Sequence, residues 1–448
     1  EGYERFDGQA KPSLTPSVHD LAKSDDENLT TWVANREARR ALILPVPGIN
    51  AIRGIAVFRG DVYAFRDVDA TYCKMYKSSP TGWQYVHTPR LLAGGRYEFR
   101  QANFTGSSQT TELVGVDGKN PAFRFDGSVF LQIDTGMESS NRYPEHLEIT
   151  SAQVLFLAYG SSVMYCGPGE PTKWAAPNGG EIAVGDRIVA LDVQANNSLA
   201  ILCRNTTYVL YGKTDLSWEL TTLSSSTGAI EWATQTIGDS IYLDDRGLTR
   251  LNRVQNFGDF DMATISQKIE PLLKRYINRV VSSFVIKEKN QYRLCFDDGS
   301  GLIVTFHGAE VAGFSTFDYN KIIRCTVSAE DSNGHEVVYF ASDDGYVYQA
   351  ESGFSFDGKA YASSFRPAFA DFRRPEYKKK FKKAILEIDT PNSASLAITP
   401  DFDYSDPNVP VHPTHLVKAT GGGGYYDEAI WDEIKWSAAS VFTTEMYI

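Results

Sequence analysis

Three pairs of adjacent aspartates are the residues in this sequence that could most directly do chemistry. They are Asp244-Asp245, Asp297-Asp298 and Asp343-Asp344. Two carboxylates in one site can cleave a glycosidic bond, one as the acid and the other as the nucleophile or base. Each pair, however, comes just before a glycine, where aspartate favours the geometry of a tight turn. We therefore expect these aspartates to shape hairpin turns and to have no catalytic role.

Motifs that would indicate another active site or a metal are missing from the sequence. It has no G-x-S-x-G, Walker or H-E-x-x-H pattern, and no G-x-G-x-x-G after a strand. Of the seven histidines only His412 and His415 are close together, and the proline between them disfavours a pair of helical ligands. Asp401, Asp403 and Asp406 lack the glycine and the distal glutamate of an EF-hand. The five cysteines are widely spaced, which argues against a zinc site or a disulfide framework. We predict no catalytic residues, cofactor or metal, and hence no enzyme.

A strongly basic segment lies near the C-terminus of a chain whose formal net charge is −12. This basic run has seven cations: Arg373, Arg374, Lys378, Lys379, Lys380, Lys382 and Lys383. Such cations could contact phosphates, or dock onto an acidic face of a partner or of a neighbouring copy. They could equally protect an edge strand from aggregation by keeping it solvated. The sequence leaves these three roles open.

The elements that must position these residues are β-hairpins. Alternating apolar runs flank a turn at Gly60-Asp61, and six further turns follow near residues 118, 160, 205, 247, 299 and 345. Successive turns are therefore 58, 42, 45, 42, 52 and 46 residues apart. A four-stranded blade of a β-propeller uses about 40 to 50 residues. The spacing predicts an all-β fold built around a six- or seven-bladed β-propeller.

Two segments predict short helices. Ser24 to Glu27 matches a capping box ahead of Trp32 and Val33. Apolar residues from Ile265 to Ile277 recur at helical spacing, and Pro271 is compatible with this helix if the helix begins near it. We expect both to be inserted or connecting helices.

Composition and patterning also define the organisation of the chain. A hydrophobic content of 42% with only 22% charged residues excludes a chain that is disordered throughout. The longest apolar runs are shorter than the roughly 20 residues that a membrane-spanning helix needs, so we predict no membrane span. We assign residues 1–50 to an extended and helical N-terminal segment, 51–357 to the propeller and 358–448 to a separate β-rich module.

Several segments resemble one family of viral proteins, in the same order and at the same spacing. They are Gly2 to Gly8, Lys11 to Ser13, Arg40 to Gly48, Gly54 to Arg66, Lys77 to Ser79, Gly82-Trp83, Ala429 to Asp432 and Ile434 to Trp436. This pattern resembles the tail nozzle or hub proteins of short-tailed bacteriophages, the tail tubular protein B-like family. The resemblance covers most of the chain and is firmest over the first ninety residues.

The resemblance implies a structural virion protein and not an enzyme. Members of that family form a six-fold ring of β-propellers below the portal and its adaptor, and the ring continues the channel through which the genome leaves. It implies a homohexamer in the tail of the virion, assembled in the host cytoplasm. The implied partners are the head-to-tail adaptor, tail fibres or tailspikes, and genomic DNA that passes non-specifically. An acidic chain is compatible with a lumen to which DNA does not adhere.

The resemblance also implies where the partners dock. Residues 1–50 and 358–448 are expected to form a β-rich platform that contacts neighbouring subunits and the adaptor. The candidate interface residues are those of the basic run, together with Trp431 and Trp436. The alternative is a host-glycan-binding or glycan-cleaving tail β-propeller, which the aromatic content and the aspartate-rich turns would suit.

Overall fold

The structure is a computed structural model of the chain. It describes residues 2–6, 43–106, 110–213, 217–252, 264–308, 310–331, 334–353, 355–359, 361–366, 369–370, 377–389, 394–402, 414–419 and 441–447. The chain forms two compact units, Glu1–Gln9 with Ile43–Ala360, and Ala10–Leu42 with Tyr361–Ile448. The expected boundaries at 50 and 357 differ from this division, since residues 1–9 and 43–50 belong to the first unit.

The first unit is a seven-bladed β-propeller, which confirms the predicted fold class. The N-terminal strand is Tyr3–Arg5 (β1). Blade 1 contains Ile52–Phe58 (β2), Asp61–Asp67 (β3), Tyr72–Ser79 (β4), Gly82–Tyr85 (β5) and Leu91–Leu92 (β6). Blade 2 contains Glu98–Ala102 (β7), Glu112–Val116 (β8), Phe123–Phe125 (β9) and Phe130–Gln132 (β10). Blade 3 contains His146–Ile149 (β11), Leu155–Tyr159 (β12), Ser162–Tyr165 (β13) and Gly180–Ala183 (β14).

The remaining blades follow the same antiparallel order. Blade 4 contains Ile188–Val193 (β15), Leu199–Cys203 (β16), Thr207–Tyr211 (β17) and Glu219–Ser224 (β18). Blade 5 contains Gln235–Thr236 (β19), Ser240–Leu243 (β20) and Leu248–Arg250 (β21). Blade 6 contains Val280–Ile286 (β22), Gln291–Phe296 (β23), Ser300–His307 (β24) and Glu310–Asp318 (β25). Blade 7 contains Ile323–Glu330 (β26), Glu336–Ser342 (β27) and Val347–Ala350 (β28).

The two ends of the propeller unit meet in blade 7. Strand β1 pairs antiparallel with β28, with Tyr3 opposite Ala350 and Arg5 opposite Tyr348. Arg5 Nε also lies 2.8 Å from a carboxylate oxygen of Asp357. Blade 7 therefore takes three strands from the end of the unit and its outermost strand from the beginning, so the ring of blades closes without a covalent link.

All seven predicted hairpins are present, and one of them occupies a different place in its blade. The turn at Gly60 joins the first and second strands of blade 1, whereas the turn at Gly118 joins the second and third strands of blade 2. The other five predicted turns also join second and third strands. This offset explains why the first interval, 58 residues, is longer than the others.

Helical structure is sparse in the described residues. A 3-10 helix at Gln267–Ile269 leads into the α-helix Glu270–Tyr276 (α1), and another 3-10 turn at Ile277–Arg279 follows. Pro271 lies in the first turn of α1, where a missing N–H costs little, as the sequence analysis required. A further 3-10 helix spans Met137–Ser140. The helix predicted near Ser24 lies outside the described residues.

Among the described residues, the hydrophobic core is divided into seven clusters, one between each pair of neighbouring blades. In the cluster between blades 1 and 2, for example, Phe65 packs with Tyr97 and Phe123, and Tyr63 packs with Phe125. Each of the five cysteines is buried and free. The aromatic content that suggested a sheet protein is thus used to join one blade to the next.

The second unit contributes two short sheets to the described structure. Lys383–Asp389 (β29) pairs with Val441–Tyr447 (β32), and Ala394–Ile398 (β30) pairs with His415–Ala419 (β31). These strands agree with the β-rich module that was predicted for residues 358–448. In the part of the chain that the structure describes, no helix is long and apolar enough to cross a membrane.

Candidate functional site in the central cavity

The first strands of the seven blades surround a central cavity of about 650 Å³. Alternation along these strands decides what faces the cavity. Tyr97 and Phe99 belong to the core between blades 1 and 2, whereas Glu98 and Arg100, which alternate with them, carry the polar groups of the lining. The cavity is therefore polar although it lies at the centre of a large apolar fold.

Arg100 connects the neighbouring blades 2 and 3 at the wall of the cavity. Its Nε lies 3.0 Å from both carboxylate oxygens of Glu148, and its Nη2 lies 3.2 Å from Glu98 Oε1. Burial lowers the pKa of the Arg100 guanidinium, but the carboxylates of Glu148 and Glu98 raise it by more, so the net shift is upward. Burial raises the pKa of Glu148, and Arg100 only partly opposes this effect. The triad fixes the inner edges of the two blades against each other.

His146 lies on β11 beside this triad and is 2% exposed. Its Nδ1 is 3.0 Å from Glu98 Oε2, and its Nε2 is 3.7 Å from Glu231 Oε1, too long for a hydrogen bond. The imidazole also packs against the Trp232 ring, with 5.2 Å between ring centroids. His146 Nε2 is buried without a hydrogen-bond partner.

Asp192 on β15 is a carboxylate of the lining for which the described residues show no ion pair. Its Oδ1 accepts a hydrogen bond from the Thr236 hydroxyl at 2.8 Å, and its Oδ2 is buried without a partner. The residue is 7% exposed. Burial raises the pKa of this carboxyl group.

One end of the cavity carries stacked guanidinium and indole groups. The Arg96 guanidinium carbon lies 3.6 Å from the Trp232 ring centroid, and Nη2 donates to the Arg324 carbonyl oxygen at 3.1 Å. Burial lowers the pKa of Arg96 to about 10. Arg53, Arg96 and Arg324 line a second cavity of about 560 Å³ there. Arg53 and Arg324 are themselves paired, with Asp67 and Asp343.

These groups suit the binding of a polar ligand. Carboxylates, an imidazole and hydroxyl groups line a single space, and four of its buried polar atoms have no hydrogen-bond partner, His146 Nε2 and Asp192 Oδ2 among them. Within the described residues, no group of three or more His, Cys, Asp or Glu side chains is arranged to hold a metal ion.

The paired aspartates of the sequence analysis lie at hairpin turns, as predicted. Asp244 Oδ1 accepts the backbone N–H groups of Arg246 and Gly247 at 2.8 and 2.9 Å. Asp298 and Asp344 accept the N–H two residues further on in the same way. Their neighbours Asp245, Asp297 and Asp343 form ion pairs with Arg204, Arg279 and Arg324. Because each carboxylate is engaged in its turn or in an ion pair, the turn interpretation is confirmed for the three pairs.

The candidate interface residues are only partly described. Lys378, Lys379, Lys380 and Lys382 precede β29, Lys383 begins it, and all five are exposed. Arg373, Arg374, Trp431 and Trp436 lie outside the described residues. Of the three aspartates that lack the EF-hand pattern, Asp401 forms an ion pair with Arg366 at 3.1 Å, and Asp403 and Asp406 are not described. His415 begins β31 and His412 is not described.

The sequence analysis did not identify the residues of the central cavity. A signal for them exists, because neighbouring blades repeat after about one blade length and their first strands lie side by side. Arg100 and Glu148 are 48 residues apart, as are Glu98 and His146, and Asp192 and Thr236 are 44 apart. Complementary polar residues separated by one repeat would have indicated these contacts.

Comparisons with known proteins found no matching family and several solved structures of low similarity. No family profile matches the sequence, and no curated protein matches it. Among solved structures, the extracellular domain of a one component system from B. thetaiotaomicron is 13% identical, with a TM-score of 0.45, over 71% of this chain and 42% of that chain. A virginiamycin B lyase from Staphylococcus aureus is 10% identical, with a TM-score of 0.43, over 68% of this chain and 97% of that chain. PorZ, a surface component of the type-IX secretion system of Porphyromonas gingivalis, is 12% identical, with a TM-score of 0.42, over 72% of this chain and 40% of that chain. The chain thus spans less than half the length of the first and third of these structures.

Proposed function

We propose that the protein is a structural component of a short phage tail, a nozzle or hub whose copies form a homohexameric ring below the portal and its adaptor. In this role the ring conducts genomic DNA non-specifically and carries tail fibres or tailspikes. The proposal starts from the resemblance of the first ninety residues to that family. The exposed apolar surface of the second unit is the structural observation that supports it.

The second unit presents large apolar side chains to solvent. Phe365 is 90% exposed, Leu416 on β31 is 78% exposed and Ile385 on β29 is 57% exposed. Its described strands form two-stranded sheets, and such sheets are at best marginally stable alone in water. Large exposed apolar side chains of this kind mark surfaces that bind other proteins. A module of this composition is suited to a platform that other subunits cover.

The propeller carries further apolar side chains at its rim. Tyr85 and Leu92 of blade 1 are 47% and 45% exposed, and Val129 and Leu131 at the outer strand of blade 2 are 50% and 44% exposed. A ring of propellers needs lateral contacts between two different surfaces of each copy. The rim of blades 1 and 2 is a candidate for one of these surfaces.

In this account the DNA channel lies between subunits and not within a propeller. The central cavity of one propeller has a volume of about 650 Å³. The Glu98–Arg100–Glu148 triad joins blades 2 and 3 at its wall. The net charge of −12 makes the chain as a whole repel a polyanion. The basic run is the main exception, and it suits docking onto an acidic partner.

Charge reversal in the basic run tests this role. Changing Lys378, Lys379 and Lys380 to Glu should raise the protein concentration needed for half-assembly at least about tenfold, because opposed like charges disfavour docking. The assay is light scattering of the full chain, alone and with a candidate adaptor. A matched control reverses three exposed lysines of the propeller, Lys119, Lys268 and Lys287, and should assemble as the wild type does.

The outcomes separate the proposal from its alternative. Equal assembly of the two triple variants would remove the basic run from the interface. A wild-type chain that stays monomeric in both samples contradicts the nozzle role. If such a monomer binds or depolymerises host surface polysaccharide, the function is that of a glycan-directed tail propeller.

A further inference from the structure

Four buried polar atoms of the central cavity lack hydrogen-bond partners: the hydroxyl groups of Tyr97 and Thr234, His146 Nε2 and Asp192 Oδ2. The last two can only accept when they are unprotonated, and they belong to side chains that are 2% and 7% exposed. Both residues line the same space, and they come from blades 3 and 4. Leaving a buried polar atom without a partner costs about 1–3 kcal/mol. A ligand that donates a hydrogen bond to both atoms removes this cost and thereby gains affinity.

The partner of His146 Nδ1 makes Nε2 the acceptor when the ring carries a single N–H. An ionised Glu98 can only accept, so the imidazole hydrogen must lie on Nδ1, which is 3.0 Å from Glu98 Oε2. Nε2 then carries a lone pair. Asp192 Oδ2 is likewise an acceptor when the carboxyl group is ionised. A ligand for this space therefore has to bring hydrogen-bond donors.

The charge of the lining favours donors on a cation. Three carboxylates and two guanidinium groups line the cavity: Glu98, Glu148, Asp192, Arg96 and Arg100. Arg100 is held by Glu98 and Glu148, and Arg96 lies over the Trp232 ring. Neither cation forms an ion pair with Asp192 among the described residues. The charge of Arg100 stabilises the ionised Asp192 in part, but a buried carboxylate without an ion pair is costly, and a bound cation would lower that cost.

Size and shape limit the ligand further. A cavity of about 650 Å³ lies within the range of about 300–1,000 Å³ that small-molecule sites occupy. One face of the Trp232 ring is already covered by Arg96 at 3.6 Å, so stacking on that face is not open to the ligand. On that side of the cavity, hydrogen bonds and charge must supply recognition.

We infer that the central cavity binds a small organic amine, whose N–H groups donate to Asp192 Oδ2 and His146 Nε2. The inference rests on the propeller alone and goes beyond the proposed role in the tail. It assigns a ligand site to a polar cavity that ring assembly does not use.

The test compares two molecules of the same length and different charge. Isothermal titration calorimetry of the full chain at about pH 8 uses the diamine putrescine and the neutral diol 1,4-butanediol. We expect saturable binding of one putrescine, with the diol at least tenfold weaker. Equal binding of the two molecules, or no putrescine binding, overturns the inference.

Variants locate the binding in the cavity. Asp192→Asn should weaken putrescine binding at least tenfold, while Asp245→Asn, which removes a carboxylate that is 69% exposed, should leave it unchanged. Equal weakening by both would mean that the acidic surface attracts the amine non-specifically, and unchanged binding to Asp192→Asn would place the amine elsewhere. If Asp192→Asn does not fold, Ala190→Leu is the second variant. It places a larger side chain in the lining of the cavity without altering the charge, and it should abolish binding.

Discussion

Truncating Tyr3 should show how much of the stability of the propeller depends on its N-terminal strand. Tyr3 is 2% exposed in blade 7, and its hydroxyl donates to the Tyr319 carbonyl oxygen at 2.9 Å. Its ring stacks on Phe356 at 4.8 Å and meets Phe340 edge-on at 5.3 Å. Few other side chains join the two ends of the unit so directly.

The expected loss follows from these contacts. Removing a fully buried aromatic ring costs about 3–5 kcal/mol, and the hydroxyl bond contributes about 1 kcal/mol. We expect Tyr3→Ala to lower the free energy of unfolding of the propeller by about 4 kcal/mol, and Tyr3→Phe by about 1 kcal/mol. The control Tyr85→Ala, at a side chain that is 47% exposed, should cost about 1 kcal/mol or less.

Urea unfolding of the full chain, followed by near-ultraviolet circular dichroism, measures these differences. The aromatic signal reports the packed clusters of the propeller. A loss below about 1 kcal/mol for Tyr3→Ala would refute the reasoning, because it would mean that the blades stay closed without this ring.

Two further predictions concern buried ionisable groups. Burial raises the pKa of Asp192 above its unfolded value, so the contribution of this carboxyl group to stability falls as pH rises through the raised pKa. Asp192→Asn should therefore increase the free energy of unfolding by about 1–3 kcal/mol at about pH 8 and by almost nothing at about pH 4. A gain that is largest at low pH would contradict this. Burial also raises the pKa of the cysteine thiols, to about 12 for Cys73, Cys203, Cys295 and Cys325 and to about 11 for Cys166. A thiol reagent at about pH 8 should therefore label none of them in the native protein and all five in urea, and fast labelling of any one would show that its cluster is open.

Local chemistry made the hairpins predictable. At Gly118 and Gly345 the backbone adopts φ of 73° and 83°, which glycine tolerates without strain, and the flanking runs alternate between apolar and polar residues. The helix was predictable for a similar reason, because Pro271 can stand only near the beginning of α1. These signals lie within a few residues of the elements that they specify.

Closure of the ring was not predictable from local pattern. Three residues, Tyr3 to Arg5, pair with a strand more than 340 positions away, and nothing in so short a segment specifies its partner. We therefore assigned them to the platform. The central cavity was missed for a related reason, because its charged residues are ordinary members of alternating strands until neighbouring blades bring them together, as with Arg100 and Glu148.

Function depends on surfaces that the sequence identifies only through resemblance. Nothing in the sequence pattern predicts that Phe365 and Leu416 are exposed. Their exposure, and that of the lysines before β29, has a function in this account only if a partner covers them. Pattern alone gave three roles for the basic run, and the structure adds that its described lysines are exposed.

The most direct test of the proposed role is the shape of the purified full chain, imaged by negative stain alone and with a candidate adaptor, with the mass measured by light scattering. The account predicts a closed ring of six copies with a central hole in at least one of the two samples. A single 49.8 kDa chain in both samples, with no ring in any image, would contradict it.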